Sequence, residues 1–189
     1  MTARSTKPAR PLTHLLACWL TVLSIQELRA LGASLPSGAF RRQLGPFVLI
    51  QRAPGRPSTA VLEPTRVASS GEIERGMLSL LFEFEDLLIT TLPPLARVES
   101  LSVGRLPDCD VFVDDPSVSK RHAELRWTES PARCTVKDQG STNGTFLNAN
   151  SLGTREATLK DGDILSFGNV QFWFLMTDTL HARLRVTRR

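Results

Sequence analysis

Residues 164–175 read ILSFGNVQFWFL, two apolar runs divided by Gly168-Asn169. That dipeptide is a two-residue hairpin signal in which glycine supplies a positive φ, so the two runs are expected to pair as antiparallel neighbours. Upstream the same grammar recurs. Short segments at 100–103, 111–113, 123–127, 133–137 and 145–147 are separated by Pro107-Asp108, Asp115-Pro116 and Asn143-Gly144, and Asp161-Gly162 precedes the hairpin. No helical period runs through the roughly eighty residues after Pro94. Many short strands punctuated in this way mean an antiparallel sandwich or barrel. Within 133–137, Cys134 and Val136 should face one side and Arg133, Thr135 and Lys137 the other. Trp127, Phe146, Phe167, Phe172 and Phe174 are expected in the core, and Trp173, offset by one, at the surface.

Working outward, Asp86–Thr91 reads as a further strand, while Leu78–Phe84 stays open between a helical turn and a strand. Pro46–Ile50 is a short apolar run that reads as one isolated strand, and residues 53–72 have the Pro, Gly and Ser content of a surface linker. Near the N-terminus, Leu12, Leu15, Leu16, Trp19, Val22 and Leu23 fall on one face of an amphipathic helix. Arg4, Lys7 and Arg10 before Leu15–Ile25 have the outline of a secretory leader. Gln26-Glu27-Leu28-Arg29 follows where a small-residue cleavage site belongs, which favours the helix. The expected organisation is a helical segment at 1–36, a short strand and linker at 37–77, a β-domain at 78–177 and a basic tail at 178–189.

Composition narrows the function classes. The net charge is +4, yet residues 1–76 carry ten Lys/Arg against four Asp/Glu, residues 77–177 nine against fourteen, and residues 178–189 four against one. Basic flanks around an acidic centre do not make a nucleic-acid surface. No apolar run reaches the roughly 18 residues of a transmembrane helix. Cys18, Cys109 and Cys134 are odd in number and widely spaced, so neither a disulfide framework nor a zinc site is encoded, and a reducing, cytoplasmic setting is expected.

Several loop-edge residues need a reason beyond turning the chain. Gly104-Arg105 ends one strand, Ser119-Lys120-Arg121-His122 leads into another, and 138–145, DQGSTNGT, joins two more. If these loops meet at one end of a sandwich they assemble a guanidinium, a hydroxyl, a side-chain amide and free backbone N–H groups. Such a set suits a phosphate dianion and the peptide that carries it. GSTNGT is not a P-loop, because it lacks the G-x-x-x-x-G-K-[ST] spacing and a following helix.

GR at 104–105, S-x-x-H at 119–122, STNGTFLN at 141–148 and L-x-D-G-D-x-L-x-F-G at 159–168 occur in one order over about seventy residues. With those four blocks, residues 78–177 resemble the forkhead-associated (FHA) domain family. The resemblance implies an all-β, antiparallel sandwich of about eleven strands that binds phosphothreonine peptides with the loops at one end. By the same resemblance, Arg105 and Ser119 would hold the phosphate and Lys120 would add its backbone N–H and its ammonium. Thr142 would line the phosphothreonine pocket and Asn143 would hold the ligand main chain. His122 would brace the loop, with Gly104 and Gly144 supporting the site through backbone geometry. Ser117 stands where some members carry a charged selector residue, so ligand preference at that point is not specified. No cofactor or metal is implied. The partner would be a phosphothreonine-containing protein, phosphorylated by a Ser/Thr kinase on another chain.

Two other readings compete. Ser119, His122 and Asp138 could be assembled into a hydrolytic triad, but no G-x-S-x-G elbow accompanies them. A phosphate-independent assembly module, docking through the sandwich face or the N-terminal helix, is the stronger alternative, since an apolar helix face must pack somewhere.

Overall fold

A continuous apolar strand such as Phe47-Val48-Leu49-Ile50 is stable only where both of its faces are covered. The computed structural model, which describes residues 22–52, 87–92, 95 and 98–186, shows what covers them. In chain order the elements are β1 (Val22–Ser24), α1 (Ile25–Ser34), α2 (Ser37–Leu44), β2 (Phe47–Arg52), β3 (Leu87–Thr90) and β4 (Val98–Gly104). Then follow β5 (Val111–Phe112), β6 (Ala123–Glu129), β7 (Ala132–Asp138), β8 (Thr145–Leu147) and β9 (Asn150–Ser151). The chain continues through β10 (Glu156–Leu159), β11 (Ile164–Phe167), β12 (Val170–Met176) and α3 (Thr177–Val186). One sheet has the order β1-β3-β2-β12-β11-β8-β9 and the other β10-β7-β6-β4-β5. Every described pair is antiparallel except β4 with β5.

The space between the sheets is filled by Phe47, Leu49, Val103, Leu125, Trp127, Val136, Leu165, Phe167, Phe172 and Phe174. The alternate residues of β2 and β12, Val48, Ile50 and Leu175, face away from that core into a second one with Ile25, Leu28, Phe40, Leu44 and Leu180. Three helices therefore cover the outer side of the β2–β12 region, and the architecture is an antiparallel β-sandwich with a helical layer on the seven-stranded sheet. Helix α1 starts at a capping box in which Ser24 Oγ accepts the Glu27 N–H and the Glu27 carboxylate accepts the Ser24 N–H. Gly32 lets α3 come close, because a Cβ there would lie 2.9 Å from Leu184 Cδ1. Arg41 on α2 ties the layer down by pairing with Glu129 at the end of β6, at 2.9 Å, and with Asp178 on α3, at 3.2 Å. No helix among the described residues is long and apolar enough to cross a membrane.

The hairpin at Gly168-Asn169 joins β11 to β12 as expected, with Gly168 at φ 57. Several expectations need correction. The strand at 47–52 is not isolated, since it lies between β3 and β12 inside the larger sheet. Residues 37–44, placed in a linker, form α2, because Phe40 and Leu44 recur at helical spacing and are wholly buried. The basic tail is in fact α3 as far as Val186, with Leu180 and His181 buried. Val22 and Leu23 pair with β3 as strand rather than helix. Trp173 packs partly buried against the helical layer instead of lying at the surface, and Phe146 is only half-buried. Strands β9 and β10 escaped notice because they are short edge elements, with Leu159 the only buried side chain between them. Of the twelve strands among the described residues, ten (β3 to β12) fall within residues 78–177, in keeping with the expected eleven or so. The readings at 1–21, 53–86 and 187–189 lie outside the described residues.

Candidate functional site

Strand β4 ends at Gly104, where a Cβ would lie 2.3 Å from the Lys120 carbonyl oxygen, so only glycine allows the β5–β6 loop to close on the strand. Backbone bonds finish that closure. Arg105 N–H donates to Ser119 O at 3.0 Å, and His122 N–H donates to Val103 O at 2.8 Å. Arg105 Nε donates to Val118 O at 3.2 Å, which points the guanidinium along the loop while the side chain remains exposed.

The β7–β8 loop is organised by Asp138. Its carboxylate accepts the N–H groups of Gly140 and Ser141, at 2.8 and 2.9 Å, and the hydroxyls of Ser141 and Thr145, both at 2.6 Å. Partial burial pushes the Asp138 carboxyl up, but the bonds from Ser141, Thr145 and Gly140 together hold it below its ordinary value. Gly144 takes φ 79, and its N–H donates to Ser141 Oγ at 3.0 Å.

His122 joins the two loops. The ring is completely buried, with its edge toward Phe167 at a centroid distance of 5.6 Å. Nδ1 accepts the Ser119 N–H at 3.0 Å, so the ring proton sits on Nε2 and is donated to Gly144 O, also at 3.0 Å. Burial holds the imidazole pKa below its ordinary value, against the opposing influence of the Gly144 bond and the Asp138 charge. The loops meet again where Thr142 N–H donates to Ser119 Oγ at 3.0 Å, with Thr142 Oγ1 at 3.4 Å from the same oxygen. Asn143 Nδ2 donates to Ser117 O at 2.8 Å.

Arg105, Ser119, Lys120, Thr142 and Asn143, the five residues expected to contact a ligand, line one cleft of about 430 Å³ together with Gly140. Arg105 and Lys120 make no salt bridge among the described residues, whereas Arg121 pairs with Asp108 at 2.6 Å on the surface. Two uncompensated cations beside hydroxyl and amide donors make the cleft suited to an anion. The three supporting residues contact the loops that carry the lining: Gly104 packs on Lys120 O, and His122 bridges Ser119 N–H and Gly144 O. The hydrolytic arrangement is absent, because Ser119 meets His122 through its backbone N–H and the Asp138 carboxylate is bound by Ser141 and Thr145. Cys134 is buried, which pushes its thiol up to about 12, and burial raises the Cys109 thiol as well, so neither is a thiolate nucleophile.

Sequence reading underrated two carboxylates. Asp138 entered by name only as a possible triad member, and Asp115 only as part of the Asp115-Pro116 turn. Its Oδ1 accepts both the N–H and the hydroxyl of Ser117, at 2.8 and 2.6 Å, and those hydrogen bonds hold its pKa low. Asp-x-Gly at 138–140 and Asp-Pro-Ser at 115–117 are local turn signals that mark where both sit, but not which loops they tie together.

Comparison with known proteins agrees with this geometry. The FHA domain family model matches residues 101–168. The glycogen accumulation regulator GarA of Mycobacterium tuberculosis is 42% identical over 74 residues, covering 39% of this chain and 43% of that protein. The oxoglutarate dehydrogenase inhibitor of Corynebacterium jeikeium is 39% identical over 77 residues, covering 41% of this chain and 51% of that one. The chain thus spans about half the length of these curated relatives, or less. Among solved structures, the FhaA FHA domain complexed with the intracellular domain of Rv3910 is 32% identical, covering 42% of this chain and 84% of that one, with a TM-score of 0.38. Motif order, two-sheet architecture and the family match over 101–168 together make this part of the chain a forkhead-associated domain.

Proposed function

We propose that the chain is a non-catalytic recognition module whose cleft binds phosphothreonine-containing protein segments. Arg105 and Ser119 hold the phosphate, Lys120 adds its backbone N–H and ammonium, Thr142 packs beside the phosphothreonine, and Asn143 reads the ligand main chain. His122, Gly104 and Gly144 support the loops. The observation that carries this reading is the convergence of those five contact residues on one cleft, where Arg105 and Lys120 make no salt bridge among the described residues. The modifying enzyme is a Ser/Thr kinase on another chain, and the setting is the cytoplasm. Relatives named for regulation and inhibition accord with binding rather than turnover.

Three or four charge-assisted hydrogen bonds at roughly 1.5–3 kcal/mol each, less the ordering of a flexible peptide, lead to an affinity on the order of micromolar. Calorimetric titration with one phosphothreonine peptide at pH 7.5 tests the proposal. Binding should vanish on dephosphorylation, and equal affinity for the dephosphorylated peptide would refute it.

The assembly-module alternative drew its motive from an apolar helix face without a place. Of that face, Leu12, Leu15, Leu16 and Trp19 lie outside the described residues, while the helices that are described bury Ile25, Leu28, Phe40, Leu44 and Leu180 against the chain's own sheet.

A further inference from the structure

We propose that Asp115 is a positioning residue, acting through Ser117 to hold the Asn143 side-chain amide in the orientation that reads a ligand's main chain. The ligand part of this inference rests on the phosphopeptide reading above; the positioning part rests on the geometry of the free protein. Ser117 is the point where three loops meet. Its N–H and hydroxyl are both taken by Asp115 Oδ1, and its Oγ accepts the Asn169 N–H of the β11–β12 turn at 2.9 Å. Its carbonyl oxygen accepts Asn143 Nδ2 at 2.8 Å from the β7–β8 loop. The contact with the turn is close enough that a Cβ on Gly168 would lie 2.5 Å from that carbonyl oxygen.

Asn143 is exposed, and an exposed amide left to itself samples several rotamers. One Nδ2 hydrogen spent on Ser117 O leaves the other hydrogen and Oδ1 as a donor and acceptor side by side, the pattern that matches a peptide unit. Ser117 can offer its carbonyl in that place only while its own N–H and hydroxyl are engaged, and the ionised Asp115 engages both with charge-assisted bonds. Asp115 is not needed to close the loop. Val118 N–H donates to the Asp115 backbone carbonyl, and Arg105 N–H donates to Ser119 O, both at 3.0 Å and both independent of the carboxylate.

The test compares Asp115→Ala with Asp115→Asn, which keeps one acceptor oxygen. In the free protein, the Asn143 side-chain amide should give a shifted, slowly exchanging NMR signal that collapses toward the random-coil position in Asp115→Ala and persists in Asp115→Asn. Affinity for a phosphothreonine peptide should fall about two- to tenfold in Asp115→Ala, the scale of one side chain that must be ordered on binding. Asn143→Ala should lose no more affinity when Asp115→Ala is added to it. Binding of free phosphothreonine, which has no flanking main chain to read, should stay within about twofold in Asp115→Ala. An unchanged Asn143 signal in Asp115→Ala, or losses that multiply in the double variant, would overturn the proposal. If the wild-type protein binds no phosphothreonine peptide, the phosphopeptide reading fails, and the NMR comparison still decides the positioning role by itself.

Discussion

His122 Nε2 donates to the carbonyl oxygen of Gly144 across 3.0 Å and a sequence separation of 22 residues, while Nδ1 accepts the Ser119 N–H. One buried ring therefore sets the distance between the loop carrying the hydroxyl and the loop carrying the amide. A second proton would have to enter on Nδ1, against the Ser119 N–H that already points there.

This geometry predicts a pH dependence of stability. The pKa of His122 is lowered in the fold, chiefly by burial, so the folded protein binds fewer protons than the unfolded chain. The stability contributed by the neutral ring is complete above about pH 6.5, the unfolded value, and is lost as pH falls from there through the folded value. Urea midpoints of the ligand-free protein should drop between pH 7.5 and pH 5. Ligand binding should weaken over the same window for a separate reason, since the second phosphate pKa is about 6. In His122→Ala the drop in midpoint should be shallower, and a fall as steep as that of the wild type would remove the ring as its cause.

Arg105→Ala should separate binding from folding. The side chain is exposed and makes one side-chain hydrogen bond, to Val118 O, so stability should change by less than about 1 kcal/mol. Affinity for a phosphothreonine peptide should fall at least about tenfold, the scale of one charge-assisted bond. Thermal melting and calorimetry on the same sample check both halves.

Gly104→Ala should do the opposite. The added methyl would sit 2.3 Å from Lys120 O and 3.0 Å from Cys109 Sγ, so the strand end and the loop must separate. Overpacking of this kind costs about 1–3 kcal/mol, and the urea midpoint should fall accordingly. Binding should weaken too, because Arg105 and Ser119 are set by the same closure. A midpoint equal to the wild type would show that the loop has room the geometry denies.

Leu28→Ala tests whether the helical layer folds together with the sandwich. Leu28 is completely buried in the second core with Val48, Ile50 and Leu175. A loss of about 2–5 kcal/mol in one cooperative transition is expected, since these strand residues back directly onto the first core. A separate early transition with the cleft still able to bind peptide would mean that the layer is dispensable.

Much of the sandwich could be read in advance because its strands are short, alternating and bounded by turn residues. Cys134 and Val136 on β7 are buried as their period requires, and Gly168-Asn169 pairs β11 with β12. The cleft residues could be chosen because residue type and spacing are local facts. Edge strand β10, with one buried residue in Glu156–Leu159, leaves no such pattern.

By itself, the sequence determined the strand-and-turn grammar, the family resemblance and the identity of the residues that converge on the cleft, since each depends on neighbours a few positions apart. Only the tertiary structure decided that β2 is a central strand, that α3 is helix rather than tail, and that Asp115 and Asp138 organise the binding loops. Phe47–Ile50 is apolar on both sides because β12 and β3 flank it and three helices cover its outer face. Burial on two faces erases the alternation that would announce a sheet strand. A carboxylate's task likewise depends on what the fold brings within hydrogen-bond distance, and the Ser117 hydroxyl that Asp115 holds accepts the N–H of Asn169, 52 residues farther along the chain.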